Sequence, residues 1–223
     1  MREGTVMNGF LIVNGLSGLL IVSSLLVTLA GNPANSARFY ALQSFILVML
    51  FVALAGATGS GELYLWSFTA LLTKVILVPA IMYRAFRRLS DPAIGTGAVM
   101  PTALSIVGAA VALILCFVVA SKVTLPAADA IKPALAVSLA LFFIGLACIV
   151  AQRNILKQVF GYCLMENGSH LTLALLAPNA PELVEIGIAT DAIFAVVVMA
   201  ALGSRIFDTL HTLDARQLTS LKG

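Results

Sequence analysis

The sequence predicts an all-α, polytopic membrane protein of about seven transmembrane helices. Three observations predict it. Of its residues, 61% are hydrophobic and only 10% charged. The apolar residues run in blocks of roughly 20, the length a helix needs to cross about 30 Å of hydrocarbon. Charges, prolines and glycines mark the ends of those blocks. No stretch is polar and long enough to form a soluble domain, so residues 1–223 read as a single membrane domain with the lipid bilayer as its first partner. A net charge of +3 spread over short loops offers no basic surface, and no nucleic-acid partner is expected.

The first span, 7–30, is too long for a cleaved signal segment, and Arg2 is offset by Glu3. The second, 37–57, has the most polar start, with Arg38 and Gln43. The third, 62–86, carries Lys74 near its middle and runs into the basic cluster Arg84, Arg87 and Arg88. The fourth, 98–120, carries no charge, and the fifth, 132–151, carries only Lys132 at its start. The sixth, 155–177, is interrupted by Glu166 and His170. The seventh, 182–207, opens with Glu182 and Glu185, which suit the positive end of a helix dipole, and carries Asp191. Residues 208–223 form a tail.

Seven spans place the termini on opposite faces. One face then carries Arg38, Arg84, Arg87, Arg88, Arg153, Lys157, Arg205, Arg216 and Lys222, and the other only Arg2, Lys122 and Lys132. The excess of basic residues marks the cytoplasmic side, so the N-terminus is expected outside and the C-terminus inside. The spans also suggest a parallel repeat of three helices, 7–86 and 132–207, with 98–120 as a spacer. In each half a basic residue and aromatics lead to a polar residue, and a Thr-plus-ionisable pair (Thr73 and Lys74, Thr190 and Asp191) follows one helix later.

Lys74 lies on neither face. With Glu166, His170 and Asp191 it falls near mid-membrane, where a charged side chain costs about 2.5–3.5 kcal/mol on insertion scales. Glu166 and His170 are four apart and share a helix face. If the third, sixth and seventh spans are neighbours, the four residues make a belt in the membrane plane, able to exchange protons. The bland alternative is that buried pairs only hold helices together. Gln43 reads as a packing hydrogen bond, with Thr73 and Thr190 as supporting polar groups. Pro79 lacks an N–H and is expected to kink its helix, freeing the carbonyl of Val75 beside Lys74. Gly161 and Gly168 are expected at a close helix contact. Cys116, Cys148 and Cys163 form no ligand spacing, so no metal or bound cofactor is expected on this chain. No nucleotide-binding, nucleophile-elbow or zinc-protease motif occurs, and the loops are too short for a catalytic domain.

The stretch 152–170, Gln-Arg-Asn-Ile-Leu-Lys-Gln-Val-Phe-Gly-Tyr-Cys-Leu-Met-Glu-Asn-Gly-Ser-His, resembles component E of hydrogenase-4. The resemblance continues through 180–195 to the tail and covers 39–44 and 72–79. It implies a non-catalytic membrane subunit of a formate hydrogenlyase-type group 4 [NiFe]-hydrogenase in the bacterial plasma membrane. Its partners would be antiporter-like membrane subunits, a quinone-site-like membrane subunit and soluble subunits carrying the Ni–Fe centre and iron–sulfur clusters. The last three helices are similar to the K subunit of complex I and the C subunit of Mrp antiporters. By that likeness Glu166 takes the first of two intramembrane carboxylate positions, and Asp191 the second, with aspartate for glutamate. Three functions stay open: a proton relay using Glu166, Asp191, Lys74 and His170; a purely structural membrane-arm scaffold; and a self-sufficient ion or proton transporter.

Overall fold

A computed structural model describes residues 2–88, 101–122 and 129–215. Among the described residues the chain is helical, with no strand beyond one isolated bridge. We number seven long helices: α1 (Arg2–Leu29), α2 (Pro33–Thr58), α3 (61–88), α4 (Thr102–Lys122), α5 (Lys132–Ala151), α6 (Ile155–Leu176) and α7 (Glu182–Leu210). Six are long and apolar enough to cross a membrane. The exception is α6, whose 22 residues suffice in length but include Lys157, Glu166, Asn167 and His170. Three of these four side chains are buried by neighbouring helices.

Local chemistry places the boundaries. Asn32 caps α2 by accepting from the N–H of Ala34, and Pro33 supplies a preset first turn. The helix therefore begins four residues before the 37 expected from hydropathy. Gly59, in the left-handed region at φ 72°, ends α2, and Ser60 caps α3 while donating to the carbonyl of Pro178 at 2.6 Å. Asn154 caps α6 through Leu156 and Lys157. The seventh helix runs three residues past the expected 207, to a left-handed His211. The expected start of the fourth span, 98, lies outside the described residues.

Within the first trio, α1 packs on α2 and α2 on α3. In the second, α5 packs closely on α6, and α6 more loosely on α7. Each of α1, α2 and α3 also touches its counterpart α5, α6 or α7. The fourth helix packs mainly against α5, on the rim. After α7 the chain returns to the α5–α6 turn, where Ile155 donates to Leu213 and Ala215 to Arg153.

The α5–α6 contact is a backbone-to-backbone seam, as the glycines foretold. A Cβ on Gly168 would lie 2.6 Å from the N of Phe142, and one on Gly161 would lie 2.8 Å from the N of Ile149. Neither neighbour is a flexible side chain that could yield, so only glycine fits. Gly168→Leu should therefore lower stability by more than the about 1–3 kcal/mol typical of overpacking. Gly108→Ala, in open space on α4, should change little. Thermal unfolding in detergent separates the two.

Candidate functional site

The third helix is not uniform. An α-helical start (Gly61–Ala70) gives way to a π-helical segment (Leu71–Leu77) and then to α-helix again (Val78–Arg88). In the π segment hydrogen bonds reach five residues back, as from Val78 to the carbonyl of Thr73. Pro79 follows directly and has no N–H for Val75 four back or Lys74 five back. The irregularity expected at Pro79 thus takes the form of a widened turn centred on Lys74.

That turn points Lys74 into the bundle, where it is 1% exposed. Its ammonium donates to Glu166 Oε1 at 2.6 Å and to Asn167 Oδ1 at 2.8 Å. Asn167 passes the chain on, its Nδ2 donating to Gln43 Oε1 at 2.8 Å and reaching Ser44 Oγ at 3.4 Å. Tyr40, one turn before Ser44, is buried with its hydroxyl beside Ser44 and Asn167. One polar layer thereby ties α2, α3 and α6. Glu166 keeps 12% exposure while Lys74 is sealed, so the carboxylate is the end of the pair that other groups can reach.

His170 lies one turn along α6 in a separate, aromatic layer. Its ring is 4.8 Å from that of Phe51 and 5.4 Å from that of Trp66. Asp191 is exposed on α7, and among the described residues the ion pairs are Lys74–Glu166 and the peripheral Lys132–Asp129. Tyr162 of α6 is within electrostatic reach of both Glu166 and Asp191. Thr73 and Thr190 bond back to their own helices, at Thr69 and Ile186. Of the expected belt, then, Lys74 and Glu166 meet, His170 sits one turn off, and Asp191 faces outward.

Asn167 and Tyr162 were missed from sequence. The available signal was spacing: Tyr162 precedes Glu166 by one helical turn, and Asn167 adjoins it. The three cysteines are free thiols, and no group of three His, Cys, Asp or Glu side chains among the described residues could hold a metal.

These features define a multi-pass membrane protein organised around a buried Lys–Glu pair. Residues 133–223, which span α5 to α7 and the tail, match the family described as NADH-ubiquinone/plastoquinone oxidoreductase chain 4L. Over 217 residues, 97% of this chain and 100% of each relative, the sequence is 52% identical to hydrogenase-4 component E from Escherichia coli strain K12 and from Shigella flexneri. The chain belongs to the hydrogenase-4 component E family. No solved structure matches it.

Removing the His170 ring deletes two aromatic contacts worth about 0.5–1.5 kcal/mol each. Because the ring is buried, its removal also leaves a cavity, so His170→Ala should lower stability by about 3–5 kcal/mol, and His170→Phe should restore the packing part of that loss, as read by thermal unfolding of the purified protein.

Proposed function

We propose that this chain is a non-catalytic membrane subunit of a hydrogenase-4, formate hydrogenlyase-type complex in the bacterial plasma membrane. In it, the intramembrane carboxylates Glu166 and Asp191 relay protons laterally. The observation that carries the reading is the Lys74–Glu166 pair, buried at the middle of α6, the central helix of the region that matches the chain 4L family.

Lys74 is the fixed charge in this scheme, and its ammonium holds Glu166 by a direct ion pair. Glu166 is the accessible member, and Tyr162 offers a hydroxyl between it and Asp191. His170 would be a side branch one turn away.

Asp191 is the outlet. A carboxylate left against lipid at that depth costs about 2.5–3.5 kcal/mol. Leu183, Phe194 and Leu202 are also exposed on α7. An antiporter-like membrane subunit lying on this helix would cover all of them and take the proton onward. A quinone-site-like membrane subunit and soluble subunits with the Ni–Fe centre and iron–sulfur clusters would complete the complex. The orientation with the C-terminus in the cytoplasm agrees with Arg153, Lys157 and Arg205 lying at one end of α6 and α7.

Glu166→Gln and Asp191→Asn should each leave the complex assembled and hydrogen turnover running, while proton translocation in vesicles falls by at least about 100-fold, the lower range for loss of a general acid–base group. Full translocation in either assembled variant would refute the relay. Loss of assembly in both, with coupling intact in whatever assembles, would instead support the scaffold reading.

A further inference from the structure

We infer that Asn167, held in place by Gln43, is a second seat for the Lys74 ammonium, an amide oxygen that keeps the cation hydrogen-bonded in the core when Glu166 takes up a proton. The inference rests on the relay reading of Glu166 and assigns the residue that makes its protonation affordable.

The difficulty it answers is electrostatic. If Glu166 were the only acceptor, protonating it would leave the buried Lys74 with a single, neutral and weaker acceptor, and a poorly solvated buried charge is strongly unfavourable. The proton would then be locked out. The structure supplies a second acceptor only slightly further away, at 2.8 Å against 2.6 Å.

The orientation of that acceptor follows from donor and acceptor chemistry. An ammonium has donors only, so the Asn167 atom facing it must be oxygen. The Nδ2 of Asn167 must then face Gln43, and Gln43 must present its Oε1, the arrangement found at 2.8 Å. Asn167 and Gln43 are both 0% exposed, so water cannot substitute freely for either. Gln43 thus positions Asn167, and Asn167 positions Lys74.

In the protonation step an incoming proton, from water or the neighbouring relay group, forms an O–H bond on a Glu166 carboxylate oxygen. Lys74 keeps all three N–H bonds, and its charge shifts toward Asn167 Oδ1. Release of the proton reverses the shift. The other ionisable groups near the Lys74–Glu166 pair are Tyr40 from α2 and Tyr162, Cys163 and His170 from α6, His170 within electrostatic reach of Lys74, with Asp191 of α7 within reach of Tyr162. On α5, Lys132 stands at the far end of the helix and Cys148 faces Lys157. Lys132 and Lys157 have partners of their own away from this layer, in Asp129 and Gln152, so Lys74 is the cation that needs a seat beside Glu166.

The test is an infrared pH titration of the intact complex in membranes, reading the carboxylic-acid carbonyl band of Glu166, assigned by its loss in Glu166→Gln. Asn167→Leu removes the seat, so the ratio of protonated to ionised Glu166 at a given pH should fall at least about tenfold, one pH unit of displacement. Asn167→Asp, of nearly the same shape, adds a second carboxylate beside Lys74 and should raise that ratio by a similar factor. Opposite displacements are a signature that general loosening of the core does not produce. If both variants titrate as the parent does, or move in the same direction, the seat is disproved. Should Asn167→Leu not accumulate, an unmoved Asn167→Asp alone suffices to reject it. The titration needs no turnover, so it stands apart from the translocation assays that decide the relay itself.

Discussion

A single buried ammonium constrains the packing of this bundle. Lys74, sealed in a medium where an unpaired charge is intolerable, requires a carboxylate and a further acceptor at bonding distance. Those come from Glu166 and Asn167, so α3 must face α6. Asn167 in turn needs an acceptor for its own N–H, so α2 must bring Gln43 and Ser44 to the same level. The π-helical turn lies where α3 presents Lys74, and a proline that cannot donate in either register follows at once. The glycine seam between α5 and α6 supplies the rigid wall on the other side.

Much of this was legible in the chain itself. Block length and the absence of polar stretches gave the helical membrane class, and six of the seven helices satisfy the criterion of length and apolarity outright. The importance of Lys74 and Glu166 could be read because charge inside an apolar run has few explanations. Their direct pairing could not, because hydropathy fixes depth and says nothing of which helices are neighbours. For the same reason Asn167 escaped notice: a neutral amide carries no insertion penalty large enough to stand out, and its role appears only when α2 and α3 converge on it. Asp191 shows the opposite case. Its depth is set by sequence, but its outward direction depends on the face α7 turns to α3 and α6. The start of α2 was misplaced because the capping chemistry of Asn32 and Pro33 outweighs hydropathy at a helix end.

The molecule is uneven in a way that bears on its role. The pair and its amide partners are enclosed by α2, α3 and α6, whereas α7 and α4 are exposed along much of their length. An ordinary apolar helix needs no cover in lipid, but one carrying Asp191 does. Each helix of the first trio touches its counterpart in the second, and we propose that the two trios are parallel repeats. Under that reading, the boundary between the two units is where Lys74 of one meets Glu166 of the other.

The most direct test of this account is to exchange the two charges and measure how much assembled complex the membrane accumulates. Lys74→Glu alone sets two carboxylates against each other and should abolish accumulation. Lys74→Glu combined with Glu166→Lys re-forms the pair, with the Asn167 and Gln43 amides turning together so that an Asn167 N–H meets the new carboxylate and a Gln43 N–H meets the Asn167 oxygen, and should recover most of it. A double variant no better than the single would contradict the claim that this pair holds the two halves together.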